Sequence, residues 1–86
     1  MITRQIIYKG QFDETSAAIV YGITRQIEIT GEVSSKKPNE IVLNLEGDPS
    51  MIKLIQHQVE RKLKNIQEKV VSKLPFKNYQ GITLLS

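Results

Sequence analysis

Ile41-Val-Leu-Asn-Leu-Glu-Gly-Asp-Pro-Ser-Met-Ile-Lys-Leu-Ile55 changes its periodicity halfway along, and that change decides the fold. Up to Glu46 the apolar residues alternate. Ile41, Leu43 and Leu45 share one face; Val42, Asn44 and Glu46 share the other, the pattern of a strand. From Pro49 onward the apolar residues Ile52, Ile55, Val59 and Leu63 recur at spacings of three and four, the stripe of an amphipathic helix. Gly47-Asp48-Pro49-Ser50 separates the two. The Asp48 carboxylate can accept an unpaired amide of the first turn, and Pro49 suits the first helical position, where no donor is needed. The helix therefore runs from Pro49 to about Leu63.

Upstream, Ile27-Glu-Ile-Thr-Gly-Glu-Val33 alternates cleanly, and the polar Ser34–Asn39 stretch carries Pro38. Two alternating runs joined by such a turn make an antiparallel hairpin. Earlier still, Ile2 to Phe12 reads as a strand. Ile2, Ile6, Tyr8 and Phe12 lie on one face with Arg4 as the exception; Thr3, Gln5, Lys9 and Gln11 lie on the other with Ile7 as an apolar intruder. Asp13-Glu14-Thr15-Ser16 ends the alternation with residues that cap helices. Ile19, Ile23 and Ile27 then share a helical face, which predicts a short helix from Thr15 to Arg25. Gly22 weakens it by about 1 kcal/mol relative to alanine, a cost that a close approach to a sheet would explain. After Leu63 the residues allow two readings. Ile66 and Val70 would extend the helical stripe, while Gln67 to Leu74, with Val70-Val71, also reads as a strand. Pro75 stops any helix, and Gly81 to Leu85 reads as a closing strand. The expected core is Ile6, Tyr8, Ile19, Ile23, Ile29, Val33, Leu43, Leu45, Ile52, Ile55 and Val59.

At 86 residues the chain is expected to form one domain, 1–86. Hydrophobic residues make up 40% and charged residues 24%, a globular balance with a formal charge of +3. Cysteine is absent, which excludes a disulfide framework, a thiolate zinc site and a cysteine nucleophile. No signal-peptide pattern opens the sequence and no run approaches the length of a membrane span. A cytoplasmic protein that does not engage membranes is expected.

Strand, helix, hairpin, helix, strand is the α+β ferredoxin-like plan, βαββαβ. The spacing of smaller landmarks along it resembles the acylphosphatase family over nearly the whole chain. Gly10 opens the loop after the first strand. Gly31-Glu32-Val33-Ser34-Ser35, Leu45-Glu46-Gly47-Asp48 and Tyr79-Gln80-Gly81-Ile82 follow at the family's intervals. The resemblance implies an antiparallel sheet covered on one face by two helices, a strand over 67–74 and a short closing edge strand.

It also implies where a site would be. In that family a glycine-rich loop turns its amides toward a phosphate, an arginine at the loop's end clamps it, and an asparagine on the second strand positions the attacking water. Here the loop reads Gly10-Gln-Phe-Asp-Glu-Thr-Ser-Ala-Ala18. The arginine position falls at Ala17 or Ala18, and the asparagine position at Ser35. Asp13 and Glu14 stand where the family brings a dianion, so Coulomb repulsion opposes it. Losing one electrostatic transition-state donor typically costs about 2.7–4 kcal/mol. The resemblance thus predicts a non-catalytic relative, a binding or interaction module for an unidentified ligand or protein partner. Only a weak anion site remains at the helix start, Thr15, Ser16 and Ala17. The alternative is an active acylphosphatase, hydrolysing carboxyl–phosphate anhydrides, whose charge comes from Lys9, Arg25 or Lys36 and whose amide comes from Asn39.

Other constellations have plain readings. His57, the single histidine, lies off the helix stripe and reads as a solvated residue. Asp13-Glu14 reads as an acidic pair suited to the helix dipole, not a metal site; neither a metal nor a cofactor is expected. Residues 1–50 carry a net −2 and residues 51–86 a net +5. Lys53, Arg61, Lys62, Lys64, Lys69, Lys73 and Lys77 make the second part basic. A nucleic-acid-binding ferredoxin-like domain is the third reading. The stacking aromatics of RNA-binding sheets are missing, however, and Tyr8 and Phe12 read as core. Both edge strands are open to dimerisation by strand addition.

Overall fold

The computed structural model describes residues 1–85. Seven elements follow in the order β1 (Ile2–Gly10), α1 (Ser16–Arg25), β2 (Thr30–Ser34), β3 (Glu40–Gly47), α2 (Pro49–Lys62), β4 (Ile66–Leu74) and β5 (Ile82–Leu85). The strands form one sheet in the order β4-β1-β3-β2-β5. β1 pairs antiparallel with β3 and β4, and β2 pairs antiparallel with β3. β5 runs parallel to β2, so the expected antiparallel sheet holds for four strands and the closing edge makes it mixed. The cause is topological. The chain leaves β4 at one edge, crosses the end of the sheet through residues 75–81, and enters β5 from the far side.

Residues 66–74 are a strand, which settles the fork left by the residues alone. α2 starts as its sequence dictates: the Asp48 carboxylate accepts the Ser50 amide at 2.9 Å, and Pro49 follows. Ile52, Ile55 and Val59 are its buried stripe. With Leu63 they pack on Ile6, Tyr8, Ile41, Leu43 and Leu45 from the central strands.

The first helix is rotated from its expected register. Its buried residues are Ser16, Val20, Ile23 and Thr24, whereas Ile19 is 42% exposed. Small polar residues in the buried stripe concealed it; the Thr24 hydroxyl is satisfied locally, donating to the Tyr21 carbonyl at 2.8 Å. Ile27 lies beyond the helix, so the stripe Ile19–Ile23–Ile27 does not exist as a face. A Cβ added at Gly22 would meet no atom within 4 Å, so no close approach requires that glycine. The second strand starts at Thr30, not Ile27, and Ile29 is only partly buried against the core. β1 ends at Gly10, and Phe12 packs against the core from the loop beyond it.

Two glycines are required by close backbone approach. A Cβ on Gly10 would collide with the Asn65 carbonyl oxygen, beside a register shift between Lys9 and Gly10. A Cβ on Gly31 would collide with the Asn44 carbonyl oxygen, and its φ of +149° is one that side chains avoid.

Candidate functional site

The loop between β1 and α1 closes on Asp13. Its Oδ1 accepts from the Thr15 amide at 2.9 Å, the Thr15 hydroxyl at 2.7 Å and the Ser16 hydroxyl at 3.3 Å. The Asp13 carbonyl accepts the Ser16 amide at 3.2 Å. These bonds, the Thr15 hydroxyl's first, hold the Asp13 carboxyl below its ordinary value. Thr15 is the residue before the helix, yet its side chain makes no capping bond. Asp13 instead closes a turn ahead of the helix, its carboxylate taking the Thr15 amide and its carbonyl the Ser16 amide. Of the helix-start residues Thr15, Ser16 and Ala17, two therefore have their amides engaged within the loop.

Ala17, Ala18 and Ser35 come together around a cavity of about 290 Å³, with Asp13, Glu14, Leu84 and Leu85 completing its lining. Contacts between α1 and β5, and the register that pairs Ser34 with Leu85, bring these parts of the chain to one place. No cation among the described residues lines it. Ser35 donates its hydroxyl to the Glu40 carbonyl at 3.0 Å and so ties the hairpin turn. The cations of the alternative reading lie elsewhere. Arg25 is at the opposite end of α1, 5.6 Å over the Tyr21 ring. Lys9 lines a separate cavity with Lys37, Asn39, Glu40 and Gln67. Asn39, at φ 61°, accepts the Gly10 amide through its carbonyl. Lys36 is exposed in the hairpin turn.

His57 is exposed on α2. Among the described residues, no three His, Cys, Asp or Glu side chains are grouped to hold a metal. No helix among them is long and apolar enough to cross a membrane.

Two charged groups had no sequence signal. Glu46, on the strand face assigned to polar residues, is 2% exposed. It accepts the Thr3 hydroxyl at 2.5 Å and the amides of Lys77 and Tyr79 at 2.7 and 3.0 Å. Desolvation pushes its carboxyl up, but those bonds outweigh it and hold it below the ordinary glutamate value. The partners lie more than thirty residues away in sequence, beyond any local pattern. The second is Glu60 on α2, which accepts the hydroxyl of buried Tyr8 at 2.8 Å and pairs with Lys69 at 3.0 Å. Burial, then Glu60, raises the Tyr8 hydroxyl far above its usual range.

The sheet order, the two helices on one face and the parallel closing strand define the acylphosphatase-like version of the ferredoxin-like α+β fold. The chain matches the acylphosphatase from Bacillus subtilis with a TM-score of 0.89 and 12% identity, covering 100% of both chains. It matches an acylphosphatase from Coxiella burnetii with a TM-score of 0.86 and 10% identity, over 98% of this chain and 92% of that one. Full-length HypF, in a phosphate- and nucleotide-bound form, matches with a TM-score of 0.87 and 19% identity; 99% of this chain corresponds to 12% of HypF. No protein-family model matches the chain, and no curated protein matches it. At these identities the likeness is one of fold.

Proposed function

We propose that this chain is a non-catalytic binding module built on the acylphosphatase-like fold. One observation carries the reading: the cavity where Ala17, Ala18 and Ser35 meet contains no cation, and the neighbouring loop amides already serve Asp13. An acyl-phosphate hydrolase must stabilise charge growing on the phosphoryl oxygens and orient a water. Alanine has nothing to donate, and the Ser35 hydroxyl is turned to the Glu40 carbonyl. Asp13 and Glu14 add negative charge at the cavity rim, which repels a phosphate. The relocated-site alternative needs Lys9, Arg25, Lys36 or Asn39 at this cavity, and none of them lines it.

The test is hydrolysis of acetyl phosphate by the purified chain. Release of inorganic phosphate should not exceed a buffer blank. Robust turnover that Arg25→Ala or Asn39→Ala abolishes would replace this reading with a relocated active site.

A further inference from the structure

β4 forms one edge of the sheet and is bonded to β1 alone. Seven of its nine residues are exposed, with Val71 at 48%. The direction of its backbone groups follows from β1. The Gly10 amide donates to the Asn39 carbonyl, one step beyond the Lys9–Glu40 pair. In an antiparallel ladder a residue turns its N–H and C=O to the same neighbour, and successive residues alternate. Even-numbered residues of β1 therefore face β3, and Thr3, Gln5, Ile7 and Lys9 face β4. Their partners Leu74, Ser72, Val70 and Glu68 bond inward. Lys69, Val71 and Lys73 are left with N–H and C=O turned outward; the alternation stops at Gln67, where the register shifts.

The side chains of those outward-bonding residues carry a charge problem. Lys69, Val71 and Lys73 pair with Tyr8, Ile6 and Arg4, so all three stand on the helix-covered face. Lys73 thus lies directly opposite Arg4, and like charges so placed are mutually destabilising. Neither forms a salt bridge among the described residues, where Lys69–Glu60 is the pair found. Arg61, Lys62 and Lys64 precede the strand and add to the same sign.

We infer that β4 is a docking strand for an extended acidic peptide, which adds to the sheet edge through the outward groups of Lys69, Val71 and Lys73. Strand addition takes its affinity from main-chain hydrogen bonds and its specificity from alternate side chains. The displayed pattern is cation, valine, cation at every second residue. The complementary strand reads acid, spacer, apolar, spacer, acid. Its carboxylate opposite Lys73 also neutralises Arg4. A second copy of the chain is disfavoured as occupant, since it brings the same cations. Edge lysines that keep copies apart admit a strand of opposite charge. This surface is separate from the Ala17–Ser35 cavity and stands whether or not that cavity binds anything.

The probe is a blocked peptide, Thr-Glu-Thr-Val-Thr-Glu-Thr, titrated into the full chain with amide hydrogen exchange read by NMR. Binding should slow exchange at Lys69, Val71 and Lys73 and leave Val70 and Ser72 unchanged. Lys73→Glu should weaken binding about tenfold or more, and added salt should weaken it further. Val71→Pro removes one outward donor from an edge position that tolerates proline, and should abolish binding. If that variant fails to fold, Arg4→Gln with Lys73→Gln serves in its place and should also weaken binding. No binding at millimolar peptide, protection at other residues, or equal binding of the peptide with lysine for glutamate would each overturn the inference. Protection of the odd residues that grows with protein concentration alone would overturn it in favour of self-association.

Discussion

The Glu46 carboxylate accepts the backbone amide of Lys77 at 2.7 Å, thirty-one residues along the chain. Together with the Tyr79 amide and the Thr3 hydroxyl, it anchors residues 75–81 as they cross the sheet end toward β5. The parallel edge strand has only four residues, so its position depends on this anchor. Glu46→Ala leaves two amides and a hydroxyl without their acceptor. The expected result is faster exchange at Lys77 and Tyr79, loss of β5 protection and a lower melting temperature. Unchanged exchange at those amides would show that the crossing is held by other contacts.

The same carboxylate gives a pH dependence. Its folded-state pKa lies below the ordinary value of 4.5. The unfolded chain therefore binds more protons as pH falls, and the contribution of Glu46 is complete above that value and lost through the folded-state pKa. Asp13 and Asp48 are shifted in the same direction. Stability should decline on acidification from about pH 4.5 downward. The decline should be shallower in Glu46→Gln, measured by denaturant midpoints across about pH 2 to 6. A slope identical to the parent would mean that Glu46 does not contribute.

Core substitutions test the register of α1. Val20→Ala and Val59→Ala each remove buried methyl groups and should cost about 1–3 kcal/mol. Ile19→Ala should cost less than about 1 kcal/mol, because that side chain is 42% exposed. The reverse order in chemical denaturation would restore the face read from sequence.

Glycine substitutions should split in sign. Gly31→Ala drives a methyl into the Asn44 carbonyl and should cost about 1–3 kcal/mol or more. Gly22→Ala meets no atom within 4 Å in the middle of a helix. It should stabilise by about 0.5–1 kcal/mol through the smaller entropy of the unfolded chain. Thermal melts of the two single variants decide it.

Most of the fold was legible because its signals were local; residues 66–74 were the exception, since Ile66 and Val70 fit a helical stripe as well as the strand that forms. The switch of period across Gly47-Asp48-Pro49 fixed β3 and α2, and the Asp48–Ser50 bond realised the expected cap. The rotation of α1 was not legible, because Ser16 and Thr24 look polar in sequence while their hydroxyls are satisfied within a turn. The parallel course of β5 depends on a crossing anchored by Glu46, a contact between distant segments. At the candidate site, the resemblance to the acylphosphatase family implied one neighbourhood for Ala17, Ala18 and Ser35, and the cavity gathers the same three. Residue type marks Asp13 as suited to a cap; that its side chain bonds both Thr15 and Ser16 depends on the turn of the loop, which residue type does not specify.

The basic half should not bind nucleic acid tightly. Its cations are spread over α2, β4 and the crossing, with no aromatic platform on the central strands. Fluorescence anisotropy with single- and double-stranded RNA and DNA at physiological salt should show no sub-micromolar binding. Such binding, falling steeply with salt and weakened by Lys62→Glu with Lys64→Glu, would promote the nucleic-acid reading.

Restoring charge to the cavity gives the sharpest test of the proposed function. Ala18→Arg, or Ala17→Arg, supplies a cation at the helix start, and Ser35→Asn supplies an amide beside it. Asp13→Gly frees the Thr15 amide and hydroxyl from the carboxylate that now holds them, and Glu14→Gly removes the second rim charge. The three kinds of change act on different parts of a hydrolytic site: charge stabilisation, water orientation and loop amides. They act as a unit, so single variants should stay near the blank and the combination should exceed the sum of the singles. Acetyl phosphate turnover should be undetectable in the parent and measurable in the combined variant, with inorganic phosphate as a competitive inhibitor of the latter alone. Each 1.4 kcal/mol of recovered stabilisation is about tenfold in rate, so even partial repair is readable. Turnover in the parent that the substitutions leave unchanged would place catalysis elsewhere on the fold. A folded combined variant that binds no phosphate would show that the Ala17–Ser35 cavity is not a latent anion site.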